Sequence, residues 1–126
     1  MDYVKGVALF PFNYFFGLSA KKVRSIVSEA AGKDYVFIDR SIFGIIAKKL
    51  KESGYKGKIV CFFHNVEKKY FADKVSWKNP ARPFILSCAD ANDAYCCKYA
   101  DTIVALNERD SEAIGEIYGR KADHLF

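Results

Sequence analysis

The sequence predicts an α/β fold: a partial doubly wound, Rossmann-like parallel sheet with helices on both faces. Three observations predict it. Short β-favouring runs alternate with amphipathic helical stretches along the chain. The run Ile59-Val60-Cys61-Phe62-Phe63 is apolar at every position, as suits a strand buried on both faces, whereas a half-exposed strand would alternate. Polar residues follow three of the runs at the points where strands give way to helices, which in an open parallel sheet is the ligand-binding edge.

The elements follow in order. Residues 7–18 form an aromatic segment in which Pro11 and Gly17 oppose a continuous regular element. From Ser19 the apolar positions Val23, Ile26, Val27 and Ala30 fall three and four apart, which is an amphipathic helix ended by Gly32. Tyr35-Val36-Phe37-Ile38 is a strand closing on Asp39, and Ser41 is placed to cap the next helix. That helix buries Ile42, Phe43, Ile46, Ala47 and Leu50, shows Lys48, Lys49, Lys51 and Glu52 to solvent, and closes at Gly54. With Lys58–Phe63 as the following strand, these elements make a right-handed βαβ unit.

Beyond Glu67 a short helical segment spans Lys68 to Val75, and Trp77, Pro80 and Pro83 mark an exposed turn. A longer helix from about Phe84 to Ala100 places Ile85, Cys88, Ala89, Cys96 and Tyr99 on one face, with Asp90 and Asp93 directed elsewhere. Asp101 to Leu106 is a third strand. Asn107 caps a helix from Glu108 to Tyr118, with acids in its first turn and Gly119 at its end. His124-Leu125-Phe126 reads as the start of a fourth strand.

Composition narrows the function. At 126 residues the chain holds one domain, and 51% hydrophobic with 16% aromatic residues excludes disorder. The net charge of +5 is compatible with an anionic surface or a phosphorylated ligand, but the lysines of the second helix read as a solvated face, so no nucleic-acid partner is expected. Cys61, Cys88, Cys96 and Cys97 lack C-x-x-C spacing and read as small buried hydrophobes in a reducing cytoplasm. Pro11, Asn13 and Gly17, with Asp2 upstream, argue against a signal peptide over Val7–Leu18. The chain has no phosphate loop, dinucleotide fingerprint, nucleophile elbow or D-x-D pair, so no metal and no cofactor are expected.

Three clusters remain: Asp39-Arg40-Ser41, His64-Asn65 with Glu67, and Asn107-Glu108-Arg109-Asp110. Parallel strands bring all three to one edge, where helix amino-termini favour anions. His64 and Glu67, at i and i+3, form a candidate acid/base dyad. The structural alternative is that Ser41 and Asn107 are only caps and His64 satisfies a neighbouring carbonyl.

In series, Val36-Phe37-Ile38-Asp39-Arg40-Ser41 with Gly44, Phe62-Phe63-His64-Asn65-Val66-Glu67, and Ala100 through Asp110 with Tyr118-Gly119 give the chain a resemblance to a known family. Over residues 33–126 it resembles the amino-terminal, acceptor-side part of GT-B glycosyltransferases of the glycogen-synthase-like superfamily, of the bacterial capsule and surface-polysaccharide type. The resemblance implies transfer of a sugar from a nucleotide-sugar donor to a saccharide or lipid-linked acceptor. It implies His64 as the catalytic candidate and Asp39, Ser41, Asn65, Glu67 and Asn107 as substrate-binding candidates, with most donor contacts on a second domain. Relative to that family, residues 1–126 read as one incomplete domain, without the first strand and its Gly-rich loop and without the donor domain. Glu108 and Glu116 match the spacing of a family glutamate pair, yet lie on a helix of the wrong domain, so the match reads as chance. Cytoplasmic placement, peripheral contact with the inner membrane face through the aromatic segment and Lys21-Lys22, and self-association through open sheet edges complete the expectation. The alternative is a noncatalytic binding or assembly module.

Overall fold

The computed structural model describes residues 8–126. Strands β1 (Tyr35–Ile38), β2 (Lys58–Phe63), β3 (Thr102–Ala105) and β4 (His124–Leu125) are all parallel and pair in chain order. The α-helices are α1 (Ala20–Ala30), α2 (Ile45–Glu52), α3 (Glu67–Lys74), α4 (Arg82–Tyr99) and α5 (Glu108–Tyr118). The α/β class and the parallel sheet are those the sequence predicts.

Local chemistry sets most boundaries. Ser19 Oγ accepts the Lys22 N–H at 3.2 Å to start α1, and Asn107 Oδ1 accepts the Asp110 N–H at 2.9 Å to start α5. At the end of α2, Gly54 takes φ 84° while Tyr55 N–H bonds to Leu50 O and Gly54 N–H to Lys51 O, which satisfies the last carbonyls. A carboxylate ahead of a strand extends the ladder: the Asp101 and Asp123 side chains accept the Ile59 and Ile103 N–H groups, each at 2.8 Å.

Ser41 does not cap a helix. The chain forms a 3-10 turn over Ser41–Phe43 and enters α2 only at Ile45. The cause is contact with α4, because a Cβ at Gly44 would overlap the Asn92 carbonyl oxygen and crowd Cys96 Sγ. At that approach Asn92 Oδ1 accepts the Ile45 N–H at 2.7 Å, so α2 is capped from another helix.

One sheet face holds the main core. Ile38, Ile59, Cys61, Phe63, Ile103 and Ala105 are buried against Ala30 of α1, Ala47 and Leu50 of α2, Cys96 and Cys97 of α4, and Ala113 and Ile114 of α5. The expectation of helices on both faces is corrected here. On the other face Tyr35 and Phe37 are 60% and 63% exposed, and Val60, Phe62 and Val104 are half-buried. Hence β2 is buried on one face only. With four parallel strands in chain order, each right-handed crossover steps the same way across the sheet, so the connecting helices share a side.

The aromatic segment, from residue 8 onward, packs on the helical layer. Phe10 is buried with Ala81, Ile85 and Cys88, and Phe15, Phe16, Phe71 and Val75 surround that cluster. Val7 lies outside the described residues.

Candidate functional site

The carboxyl ends of β1, β2 and β3 lead into Asp39, His64 and Asn107, and parallel pairing brings them to one edge. His64 Nε2 and Asp39 Oδ1 lie 3.2 Å apart, with side chains 41% and 90% exposed. With the proton on Nε2, the imidazole donates to Asp39 and presents Nδ1 as an acceptor. Asn65 is half-buried beside it, and Asn107, two residues past Ala105, is exposed and engaged as the α5 cap.

Glu67 does not join His64 in a dyad. It is fully buried and takes a bidentate pair from Arg40, with Nη2 at 3.0 and 3.1 Å from the two carboxylate oxygens and Nε at 3.3 Å. Burial pushes the Glu67 carboxyl up, and the charge and hydrogen bonds of Arg40 oppose that rise. The pair ties the residue after β1 to the start of α3, and Arg40 follows Asp39 directly in the chain. Neither Glu67 nor Ser41 is placed to touch a ligand, because both are buried.

Ser41 instead belongs to a polar centre under the edge. Asp93, directed outward by the helical pattern, is in fact fully buried, and its Oδ2 accepts the Lys68 N–H at 3.2 Å. Burial raises its carboxyl to about 7, opposed mainly by the nearby Ser41 side chain and the Lys68 N–H. Ser41 Oγ lies close enough to favour the charged form, yet neither it nor Asp93 Oδ1 has a partner of full hydrogen-bond geometry. Adjacent residues Asn92 and Asp93 of α4 therefore serve the first turns of two other helices, α2 and α3. Asn92 Nδ2 also donates to Asn13 O at 3.0 Å and Cys88 O at 2.8 Å. Spacing carried a signal for Asn92, which continues the stripe of Cys88, Ala89 and Cys96: a polar residue on an apolar stripe needs a buried partner.

The other chemistry-bearing groups are quiet. All four thiols are free and buried, and burial pushes Cys88 and Cys97 up to about 12, which leaves no nucleophilic thiolate at neutral pH from these two. Among the described residues no group of His, Cys, Asp and Glu is arranged to hold a metal ion, and no helix is long and apolar enough to cross a membrane. A cavity of about 750 Å³ lies at the amino ends of β1 and β2, lined in part by Lys33, Tyr55, Lys56 and Lys58, away from His64. The edge itself is a shelf with a histidine–carboxylate pair on it, able to orient a hydroxyl or exchange a proton. Comparison with protein-family models, with curated proteins and with solved structures gives no match.

Proposed function

We propose that the chain is the acceptor-side part of a GT-B-type glycosyltransferase, serving transfer of a sugar from a nucleotide-sugar to a saccharide or lipid-linked acceptor in surface-polysaccharide synthesis. The observation that carries this reading is the Asp39–His64 pair, 3.2 Å apart on the carboxyl edge of a parallel sheet. In that reaction the acceptor oxygen bonds to the anomeric carbon as the bond to the nucleoside diphosphate breaks. His64, held on one nitrogen by Asp39, orients the acceptor with the other, and Asn65 and Asn107 border the same shelf. The Arg40–Glu67 pair links the segments that carry Asp39 and His64. The reading requires a donor-binding domain, which these 126 residues do not contain, so transfer is not expected from this sequence alone.

The test is a two-dimensional amide NMR titration with a panel of nucleotide-sugars and with oligosaccharides. Saccharides should move the amides around His64, Asn65 and Asn107 with affinity near about 1 mM, and His64→Ala should abolish the effect. No shift at this edge with any of them would remove the reading.

A noncatalytic assembly module is the second reading, favoured by an aromatic row of the exposed Tyr35 and Phe37 and the half-buried Phe62, whose ring centres lie 6.1 and 6.3 Å apart in turn. Light scattering separates the two: concentration-dependent association lost in Phe37→Ser supports a module, and a monomer at all concentrations opposes it.

A further inference from the structure

The amino ends of β1 and β2 lie about 20 Å along the strand direction from His64, and there the loops that leave α1 and α2 flank the cavity of about 750 Å³. Two hydrogen bonds tie these loops together. Tyr55 Oη donates to Lys33 O at 2.9 Å, and the Lys58 N–H donates to Asp34 O at 2.8 Å. Gly57 fits between them, because a Cβ there would overlap the Tyr55 phenol and crowd the Asp34 carbonyl oxygen. Contacts between separate segments thus fix the walls, so the cavity is preformed, as small-molecule sites usually are.

Its charge has one sign. Lys33, Lys56 and Lys58 line it against a single acid, Asp34, and among the described residues none of the three lysines has an ion-pair partner. By contrast Lys51 nearby is matched by Asp101 at 3.3 Å. The helices α1 and α2 both end at this cavity, and free carbonyls at a helix carboxyl end would repel an anion. These ends are closed: the Lys33 N–H bonds to Ala30 O, and the Ser53, Gly54 and Tyr55 N–H groups bond to Lys49, Lys51 and Leu50 carbonyls. The lysines therefore set the sign, and a concave wall of like charge concentrates the opposite one.

A phosphate monoester carries roughly −1.5 to −2 charges at neutral pH, which matches three lysines opposed by one carboxylate. Phosphate alone would leave most of the volume empty. Val27, Ala31 and Tyr35 supply apolar surface beside the lysines, and Val27 and Ser53 also border a further hollow of about 470 Å³ whose wall includes Val23 and Arg24. We propose that this cavity binds a small organic phosphate monoester, with Lys33, Lys56 and Lys58 holding the phosphate and the organic part lying toward Val27. The site is at the opposite edge of the sheet from the Asp39–His64 pair, and it takes a terminal phosphate, which a nucleotide-sugar lacks. It stands apart from the transfer reading.

The 126-residue chain would be titrated with two esters, uridine monophosphate and phenyl phosphate, and with uridine and inorganic phosphate as the separate halves, while amide NMR spectra are recorded. At least one ester should move the amides of Lys33, Tyr55, Gly57 and Lys58 with a Kd of about 0.1–1 mM, and the tighter ester assigns the organic part. Uridine and inorganic phosphate should each bind at least about tenfold more weakly. The double variant Lys56→Glu/Lys58→Glu should weaken ester binding by more than about tenfold with an unchanged circular dichroism spectrum, and the neutral pair Lys33→Gln/Lys56→Gln by about threefold or more. Lys74→Glu/Lys78→Glu, which changes the net charge equally at a distant surface, should leave binding as it is, and so should His64→Ala. The proposal falls if neither ester moves these amides, or if inorganic phosphate binds as tightly as the esters, which indicates a bare anion site. It falls equally if the distant charge reversal weakens binding as much as the local one. Failure of the transfer reading would show instead at His64, Asn65 and Asn107 with saccharides, so the two outcomes are separable.

Discussion

On the covered face of the sheet Ile38, Ile59, Cys61, Phe63, Ile103 and Ala105 lie buried beneath four helices, while on the opposite face Tyr35, Phe37, Val60, Phe62 and Val104 lie partly or largely in solvent. Both sets are apolar. What separates them is topology, because strands paired in chain order receive all their right-handed crossovers on one side. The bare face therefore carries side chains suited to a layer that the described residues do not supply. Each large ring covered there would contribute roughly 1.5–3 kcal/mol, which makes that face a target for any partner of matching shape.

Mutations that contrast the two faces should give the largest effects. Phe63→Ala, on the covered face, should cost about 3–5 kcal/mol in urea denaturation, a large share of a small domain's stability. Phe37→Ala, on the bare face, should cost no more than about 0.5 kcal/mol. Equal losses would mean that something covers the second face in solution.

Next comes the ion pair that joins the sheet edge to the helical layer. Arg40→Ala leaves the Glu67 carboxylate buried without its cation and should cost about 3 kcal/mol. Glu67→Gln leaves Arg40, 38% exposed, able to turn to water, and should cost about 1–2 kcal/mol. The reverse ranking would show that burial of Glu67 is not what matters there.

The covered side should also give the protein an unusual response to pH. Asp93 titrates at 3.8 when unperturbed and, through burial, at about 7 in the fold. Between those values the folded chain keeps a proton that the unfolded chain has released, so this group's contribution falls as pH rises, by up to about 1.4 kcal/mol per pH unit. Asp123 acts in the opposite direction, since the Ile103 N–H bond holds its carboxyl below the usual value. Its contribution is present above pH 3.8 and is lost as pH falls through the lowered value. Urea midpoints across this range should decline with rising pH more steeply in the parent than in Asp93→Asn, and identical slopes would remove Asp93 as the cause.

Of the residues at the carboxyl edge, the α5 cap should give the mildest loss: Asn107→Ala should cost about 1 kcal/mol without altering the bare face. A change in association state in that variant would contradict the separation drawn between edge and face.

Much of this was legible in the residues. Local rules act over three or four positions, so the strands at Tyr35, Lys58 and Thr102, the cap Asn107, and the closing glycines at 54 and 119 could be placed from the chain alone. The alternation of strands and helices likewise implied a parallel sheet with Asp39, His64 and Asn107 on one edge.

Partner choice was decided only in three dimensions. Spacing offered Glu67 to His64, but Arg40 arrives from another strand and takes it, leaving His64 to Asp39. Ser41 had the residue type of a cap, yet the close approach of α4 at Gly44 gave that role to Asn92. An apolar run states that a strand can be buried on both faces, and the direction of the crossovers determined that β2 is buried on one. Sequence thus determined the elements and the edge they share, because those depend on near neighbours. Pairing, burial and the covered face depend on groups dozens of residues apart, and only the packed chain brings them together.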